Sequence, residues 1–280
     1  MPSTLPVAAN WRPFPPSDPI VLTIFSRHVG ETDALAEWVG RVVAPVFNGA
    51  TLELSGEPSS TGNRRAGRLR PSQRGCDLVL YSQGLGMCNL NPEIEAVAAE
   101  LTAVAGLNLT APTFAGASRS LMGGQLEWLD SGASLHQVAI TAHAGTTITV
   151  ASGSPDLVVG LDVTAYTRPL YVVATLTGFI GVTLTAAEFG SLSSGRLAGG
   201  FIKWVRASDG LVEFRSIKTH AGSTITLDFG SLDLAVGLQV QAYPGCAHTW
   251  ADCGNHQNQP NYGGDLWMPV KTPFDGNPVW

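Results

Sequence analysis

The sequence predicts a mainly β protein: two tandem homologous small β units, barrel- or sandwich-like, with an extended N-terminal segment and an irregular C-terminal tail. Three observations carry this expectation. Residues 140–166 (ITAHAGTTITVASGSPDLVVGLDVTAY) return at 217–243 as IKTHAGSTITLDFGSLDLAVGLQVQAY, a constant 77 positions later. Upstream, LMGGQLEW at 121–128 returns as LAGGFIKW at 197–204, and GLNLTAPTF at 106–114 as GVTLTAAEF at 181–189, displaced by 76 and 75. Such single-residue slips between strand-like stretches are what the loops of a duplicated folding unit accumulate. The third observation is compositional. Only 14% of residues are charged, and 32 are Gly and 18 Pro, which describes a turn-rich chain with large buried or subunit-facing surfaces.

A chain of 280 residues allows one or two domains with a sizeable core. The formal net charge of −6 argues against a dedicated nucleic-acid binder. No basic segment followed by an apolar run opens the chain, so no signal peptide is expected. The thiols are therefore expected to form in a reducing cytosol, where cysteines tend to be catalytic or metal-binding. Residues 169–189 are long enough to tempt a transmembrane reading. Their counterpart at 94–114 carries Glu95, Glu100 and Asn108, and two copies of one pattern should share one fold, so no membrane span is expected.

In chain order, residues 1–19 hold prolines at 2, 6, 13, 15, 16 and 19. This reads as an extended arm that cannot form a regular element, anchored by Trp11 and Phe14. Residues 20–25 (IVLTIF) form a short apolar β run. Residues 31–43 read either as a short helix or as a strand over 37–43. Residues 50–54 alternate like a strand. The loop at 56–75 carries Arg64, Arg65, Arg68, Arg70 and Arg74; a solvated or interface-paired loop is the expectation, a phosphate contact the sharper alternative. Asn91-Pro92 breaks the chain before the first β unit. Each unit should contain five or six short strands, with Ala144-Gly145 and Ala221-Gly222 as hairpin turns between β-branched runs.

The four cysteines bracket the duplicated pair. Cys76 and Cys88 precede it as C-x11-C; Cys246 and Cys253 follow it as C-x6-C. Three arrangements compete: two structural disulfides, a tetrahedral zinc site, or an iron–sulfur centre. Zinc sites usually show tighter knuckles. An iron–sulfur centre tolerates wider spacing because each cysteine approaches from its own loop. Spacing alone does not decide. His143 and His220 recur at one position of each copy and read as strand-end histidines bonded to backbone. His248 and His256 flank the last cysteines as possible replacement ligands or hydrogen-bond donors. Asp156 and Asp233 read as turn formers, and Trp128 and Trp204 as core. No G-x-S-x-G, HExxH, Walker or dinucleotide-binding motif is present, so no catalytic residue is assigned and no enzyme activity is expected.

The motifs RLR at 68–70 before RGCDLVLYS, Cys88 followed by NLNPE, TAPTF and GGQLEW in the first β unit, and YPGCAHTWADC followed by NQPNYGGDLWMPVKTPFDG together resemble the tail-tip or baseplate hub proteins of long-tailed phages and gene transfer agents. The resemblance runs from about residue 37 to the C-terminus. It implies a C-terminal iron–sulfur-binding domain with Cys76, Cys88, Cys246 and Cys253 as the ligands of a structural cluster, a 4Fe-4S cluster before zinc. It further implies residues 1–75 as an N-terminal arm and partial hub domain. Residues 76–280 form a cysteine-bracketed domain holding β repeat 1 (94–166), β repeat 2 (169–243) and a tail (244–280). The expected function is a structural virion component at the tail tip or baseplate, made in the host bacterial cytoplasm. It joins the tail tube to the host-recognition apparatus as a homotrimer around the DNA channel, without specific nucleic-acid binding. Its partners would be other tail proteins: a distal tail ring, and a tail fibre or central spike protein. The alternative is a receptor- or glycan-binding tail module with a structural zinc or disulfide-stapled site, using Trp250, Trp267 and Trp280 as stacking surfaces.

Overall fold

The computed structural model describes residues 1–11, 14–30, 32–60, 73–90, 96–168, 171–207 and 210–268. The chain divides into two compact units, Met1–Arg70 with Phe229–Asp233, and Pro71–Asp228 with Leu234–Trp280. Most of the arginine run (Arg64, Arg65, Arg68 and Arg70), Asn91-Pro92 and Trp280 lie outside the described residues.

The first unit holds a three-stranded antiparallel sheet in the order β1 (Val21–Ser26), β2 (Leu35–Asn48), β3 (Thr51–Pro58). Of the ambiguous stretch, residues 35–43 resolve as part of the long strand β2 and not as a helix, as their β-branched content favours. Trp38 lies flat across Gly40 and Gly56, where any Cβ would strike its ring. The N-terminal arm departs from the expected extended form. Met1 exchanges backbone hydrogen bonds with Leu52, at 2.9 and 2.7 Å, and Pro6–Trp11 closes into a 3-10 turn. Proline suits both places: it opens the turn, where its missing N–H costs nothing, and it sits at a sheet edge.

The second unit contains the duplication as two seven-stranded curled half-barrel sheets. Repeat 1 comprises β4 (Ala96–Glu100), β5 (Ala103–Ala105), β6 (Asn108–Thr110), β7 (Gln125–Leu129), β8 (Leu135–Ala144), β9 (Thr147–Val150) and β10 (Asp162–Tyr166), in spatial order 4-10-7-8-9-6-5. Repeat 2 comprises β11 (Val172–Thr175), β12 (Gly178–Ile180), β13 (Thr183–Thr185), β14 (Phe201–Val205), β15 (Val212–Ala221), β16 (Thr224–Leu227) and β17 (Gln239–Tyr243), in order 11-17-14-15-16-13-12. The topology is identical, strand for strand. Seven strands replace the five or six expected, because β5, β6, β12 and β13 have three residues each, too short to show a period. The apolar stretch read against a membrane span falls in β11–β13. Among the described residues no helix is long and apolar enough to cross a membrane.

The cores repeat with the sequence. Leu109, Phe114, Leu121, Leu126, Trp128, Ile140 and Ile148 are buried in repeat 1, and Leu184, Phe189, Leu197, Ile202, Trp204, Ile217 and Ile225 in repeat 2. Two glycine pairs show why the motif letters are fixed. Gly145 and Gly222, at φ 58° and 54°, form the left-handed first residue of the two-residue hairpin loops. Gly124 and Gly200 let the chain pass against the carbonyls of Tyr166 and Tyr243, a space that a Cβ would occupy. His143 and His220 also match. Each Nδ1 accepts a backbone N–H, from Leu121 at 3.1 Å and Leu197 at 3.4 Å, and each Nε2 meets the carbonyl of Gly145 or Gly222 at 3.0 Å. They are structural histidines that pin the hairpins.

Candidate metal centre

Two segments flanking the repeats meet at the exit of repeat 2. The first is the loop 73–90. Tyr81 adopts left-handed backbone (φ 63°), donates its hydroxyl to the Pro244 carbonyl at 2.9 Å, and packs edge-on against Phe201 and Tyr243. Burial raises its pKa, so it remains a donor. The loop then closes on itself, with Asn89 N–H donating to Ser82 O at 2.7 Å and Gly84 N–H to Asn89 Oδ1 at 2.8 Å. This returns Cys88 toward Cys76. The second segment follows Tyr243. Thr249 caps the short helix α1 (Trp250–Asn255) by accepting Asp252 N–H at 3.1 Å, and the helix turns Cys253 inward. Cys76 N–H donates to His248 O at 2.8 Å, tying the two segments together.

The result brings all four predicted cysteines to one small cavity of about 20 Å³, lined also by Leu78, Leu80, Leu90, His248, His256 and Asn258. All four are free thiols. Three sulfurs accept an N–H: Cys246 Sγ from His248 N at 3.3 Å, Cys76 Sγ from Gly263 N at 3.3 Å, and Cys88 Sγ from Asn258 Nδ2 at 3.6 Å. Asn258 is buried, and the same amide also donates to Cys88 O at 2.6 Å.

The donors differ from those the sequence put forward. His248 contributes its backbone, not its ring. The His256 ring nitrogen goes to the Gly245 carbonyl, and the Gly84 N–H to Asn89 Oδ1. Instead Asn258 and Gly263, from the NQPNYGG segment, supply the hydrogen bonds. His256 belongs to a buttress behind the cysteines. Its Nε2–H donates to Gly245 O at 2.8 Å, so the Arg196 nitrogen 3.2 Å from the same atom is a contact and not a second hydrogen bond. Burial lowers the pKa of His256 and keeps it neutral. Arg196 pairs with Asp252 at 2.7 Å, and Asp252 Oδ2 accepts Ala247 N–H at 2.6 Å. Burial opposes ionisation of Asp252, but the Ala247, Asn255 and Arg196 donors outweigh it and lower its pKa. Donor atoms of Cys246, Asp252 and His256 lie within 4.8 Å of one another. The carboxylate and imidazole, however, are already committed to these bonds.

The electrostatics of the thiols run against ionisation. Burial pushes Cys253 up to about 11, with the three neighbouring cysteines adding to the shift. Burial also raises Cys246, against the His248 N–H. Four thiolates at one point repel each other, and a bound cation reverses that balance. A soft metal bound by these sulfurs would have to displace the thiol protons.

Residues 195–272 match the family described as "Phage conserved hypothetical protein BR0599". That span includes Arg196, Cys246, Cys253, Asn258 and Gly263. An uncharacterized protein of Xylella fastidiosa (strain 9a5c) is 23% identical over a 406-residue alignment, which covers 100% of this chain and 83% of that protein. The fold is similar to a chain from the virion of a native gene transfer agent particle, with a TM-score of 0.47 and 14% identity over 92% of this chain. This chain spans 65% of the length of that one. The family match thus falls on the C-terminal part of the protein.

Proposed function

We propose that this protein is a non-enzymatic structural component of a phage-type virion. In this reading it is the tail-tip or baseplate hub that joins the tail tube to the host-recognition apparatus, and Cys76, Cys88, Cys246 and Cys253 hold a structural iron–sulfur cluster. The observation that carries the reading is the meeting of four free thiols, from the two ends of a duplicated β body, at one cavity with N–H donors aimed at three of them. Hydrogen bonds to sulfur are what a thiolate-held cluster requires. When bound, the cluster would cross-link the entry and exit of the repeats. The phage family match supports the virion assignment, and the quoted motifs support the hub. A homotrimer is in keeping with Val21, Phe25, Leu35, Val39, Val43 and Val46, apolar and exposed along β1 and β2.

Purification without oxygen tests the cluster. A brown protein with about four iron and four sulfide per chain is expected, bleached by each Cys→Ser change. Zinc alone, or no metal, would overturn it. Labelling of the protein on intact particles tests the hub: label at the tail tip is expected, and label along the tube or on the head would sink that assignment.

A further inference from the structure

Two buried arginines stand behind the cysteine cavity, and they are satisfied differently. Arg196 is neutralised by Asp252 at 2.7 Å. Arg168 is 9% exposed and follows β10, where the linker to repeat 2 begins. Its Nη1 donates to His256 O at 2.9 Å, its buried Nε has no hydrogen-bond partner, and among the described residues it meets no carboxylate. His256 in turn lines the cavity with the four cysteines. A buried charge without a countercharge is costly, and an orphaned buried N–H adds to that cost. Nothing else in the described protein offsets this cation. The neighbouring site, once its four thiols ionise around a cluster, is net negative.

We propose that Arg168 is the countercharge of the cysteine-held centre, an inference that rests on the iron–sulfur reading above. Its positive charge favours the more negative, reduced form of the centre and so raises its reduction potential. It also holds the loaded state against loss of metal. Arg168 touches no sulfur and acts through the field behind His256, so it is not itself a ligand. The Arg196–Asp252 pair, already neutral, contributes packing and not net charge.

The test compares wild type, Arg168→Met and Arg168→Lys, all purified without oxygen, with iron and sulfide counted first. In a one-electron titration with a mediator as electron source, Arg168→Met should shift the midpoint down by about 59 mV, a tenfold change in the ratio of reduced to oxidised centre. Its iron should also pass to a chelator faster than that of wild type. Arg168→Lys, which keeps the charge and loses the fork, should stay near wild type in both readouts. A potential and iron-loss rate unchanged in Arg168→Met would overturn the inference while leaving the cluster standing. If Arg168→Met does not fold, the lysine variant decides: a shift as large as that expected for methionine shows that the hydrogen bond to His256 matters and the charge does not. Wild-type protein lacking both iron and sulfide would overturn the cluster reading and this inference together.

Discussion

Repeats 1 and 2 place a carboxylate and a nitrogen donor at the same two positions and reverse their order. In repeat 1, Asp130 at the end of the β7–β8 hairpin holds His136 at 3.0 Å, and His136 stacks on Trp128. In repeat 2 the matching positions are Arg206 and Glu213, 3.2 Å apart, with Arg215 also on Glu213 at 2.8 Å and lying over Trp204. The hairpin needs a carboxylate and its donor beside the tryptophan; it does not need a particular residue on either side. The cores vary less, Leu126 and Val150 giving way to Ile202 and Leu227, although the core residue Val138 is matched by the buried Arg215. A third class of position diverges altogether. Glu127 reaches out of repeat 1 to Tyr171, at 2.7 Å, whereas its counterpart Lys203 has no such role. Ser120 and Arg168 of repeat 1 correspond to Arg196 and Gly245 of repeat 2, and Arg196 and Gly245 build the buttress of the cysteine site. The duplication therefore supplied a scaffold twice and attached the candidate centre to the exit of one copy.

The largest effects should fall where the copies agree. Phe114→Ala and Phe189→Ala each remove a fully buried ring and should each cost about 3–5 kcal/mol in denaturant unfolding. A near-neutral result for one of them would break the equivalence of the cores. Gly124→Ala and Gly200→Ala press a methyl group against a backbone carbonyl and should each cost about 1–3 kcal/mol, read from the same curves. Gly200 lies against Gly245 as well as Tyr243. Gly200→Ala should therefore also weaken metal retention at the cysteine site, and Gly124→Ala should not.

The contacts between copies come next. Tyr171→Phe removes one of the donors to buried Glu127, leaving Gln125 and Gln137. It should cost about 1–3 kcal/mol, the penalty of an under-satisfied buried acceptor. Lys203→Ala, at the position of Glu127, should stay within about 0.5 kcal/mol. Equal costs for the two would show that the interface between repeats does not depend on this carboxylate.

These contrasts also mark what the sequence made legible. The repeat offset predicted the matched cores, hairpins and histidines, because strand periodicity and turn glycines are local properties. The three-residue strands escaped it, since three residues carry no period. The 3-10 turn at residues 6–11 escaped because proline content signals only an absence of regular structure. At the site, the cysteines stood out by residue type. Their donors did not: Asn258 and Gly263 are ordinary letters in a polar tail, and Arg196 and Arg168 gain meaning only from meeting residues 56 and 88 positions further along. Long-range encounters of this kind leave no trace in spacing.

The smallest expected effect tests the reversed pair through pH. The hydrogen bond from His136, followed by backbone N–H donors of Ser134 and Gly132, lowers the pKa of Asp130 in the folded protein. A folded pKa below the unfolded value means that the carboxylate stabilises the fold above the unfolded value, about 3.9, and that this contribution fades as pH falls through the folded pKa. Asp130→Asn removes the titration. Wild type should therefore be the more stable of the two near neutrality, and the two denaturation midpoints should converge at acid pH below about 4. Arg206 holds the matching position in repeat 2 and cannot titrate there, so Arg206→Gln should shift the midpoint by an amount that does not follow Asp130. A wild-type advantage over Asp130→Asn that persists unchanged as the pH is taken progressively below the unfolded value of about 3.9 would show that Asp130 acts through packing of the turn and not through its charge.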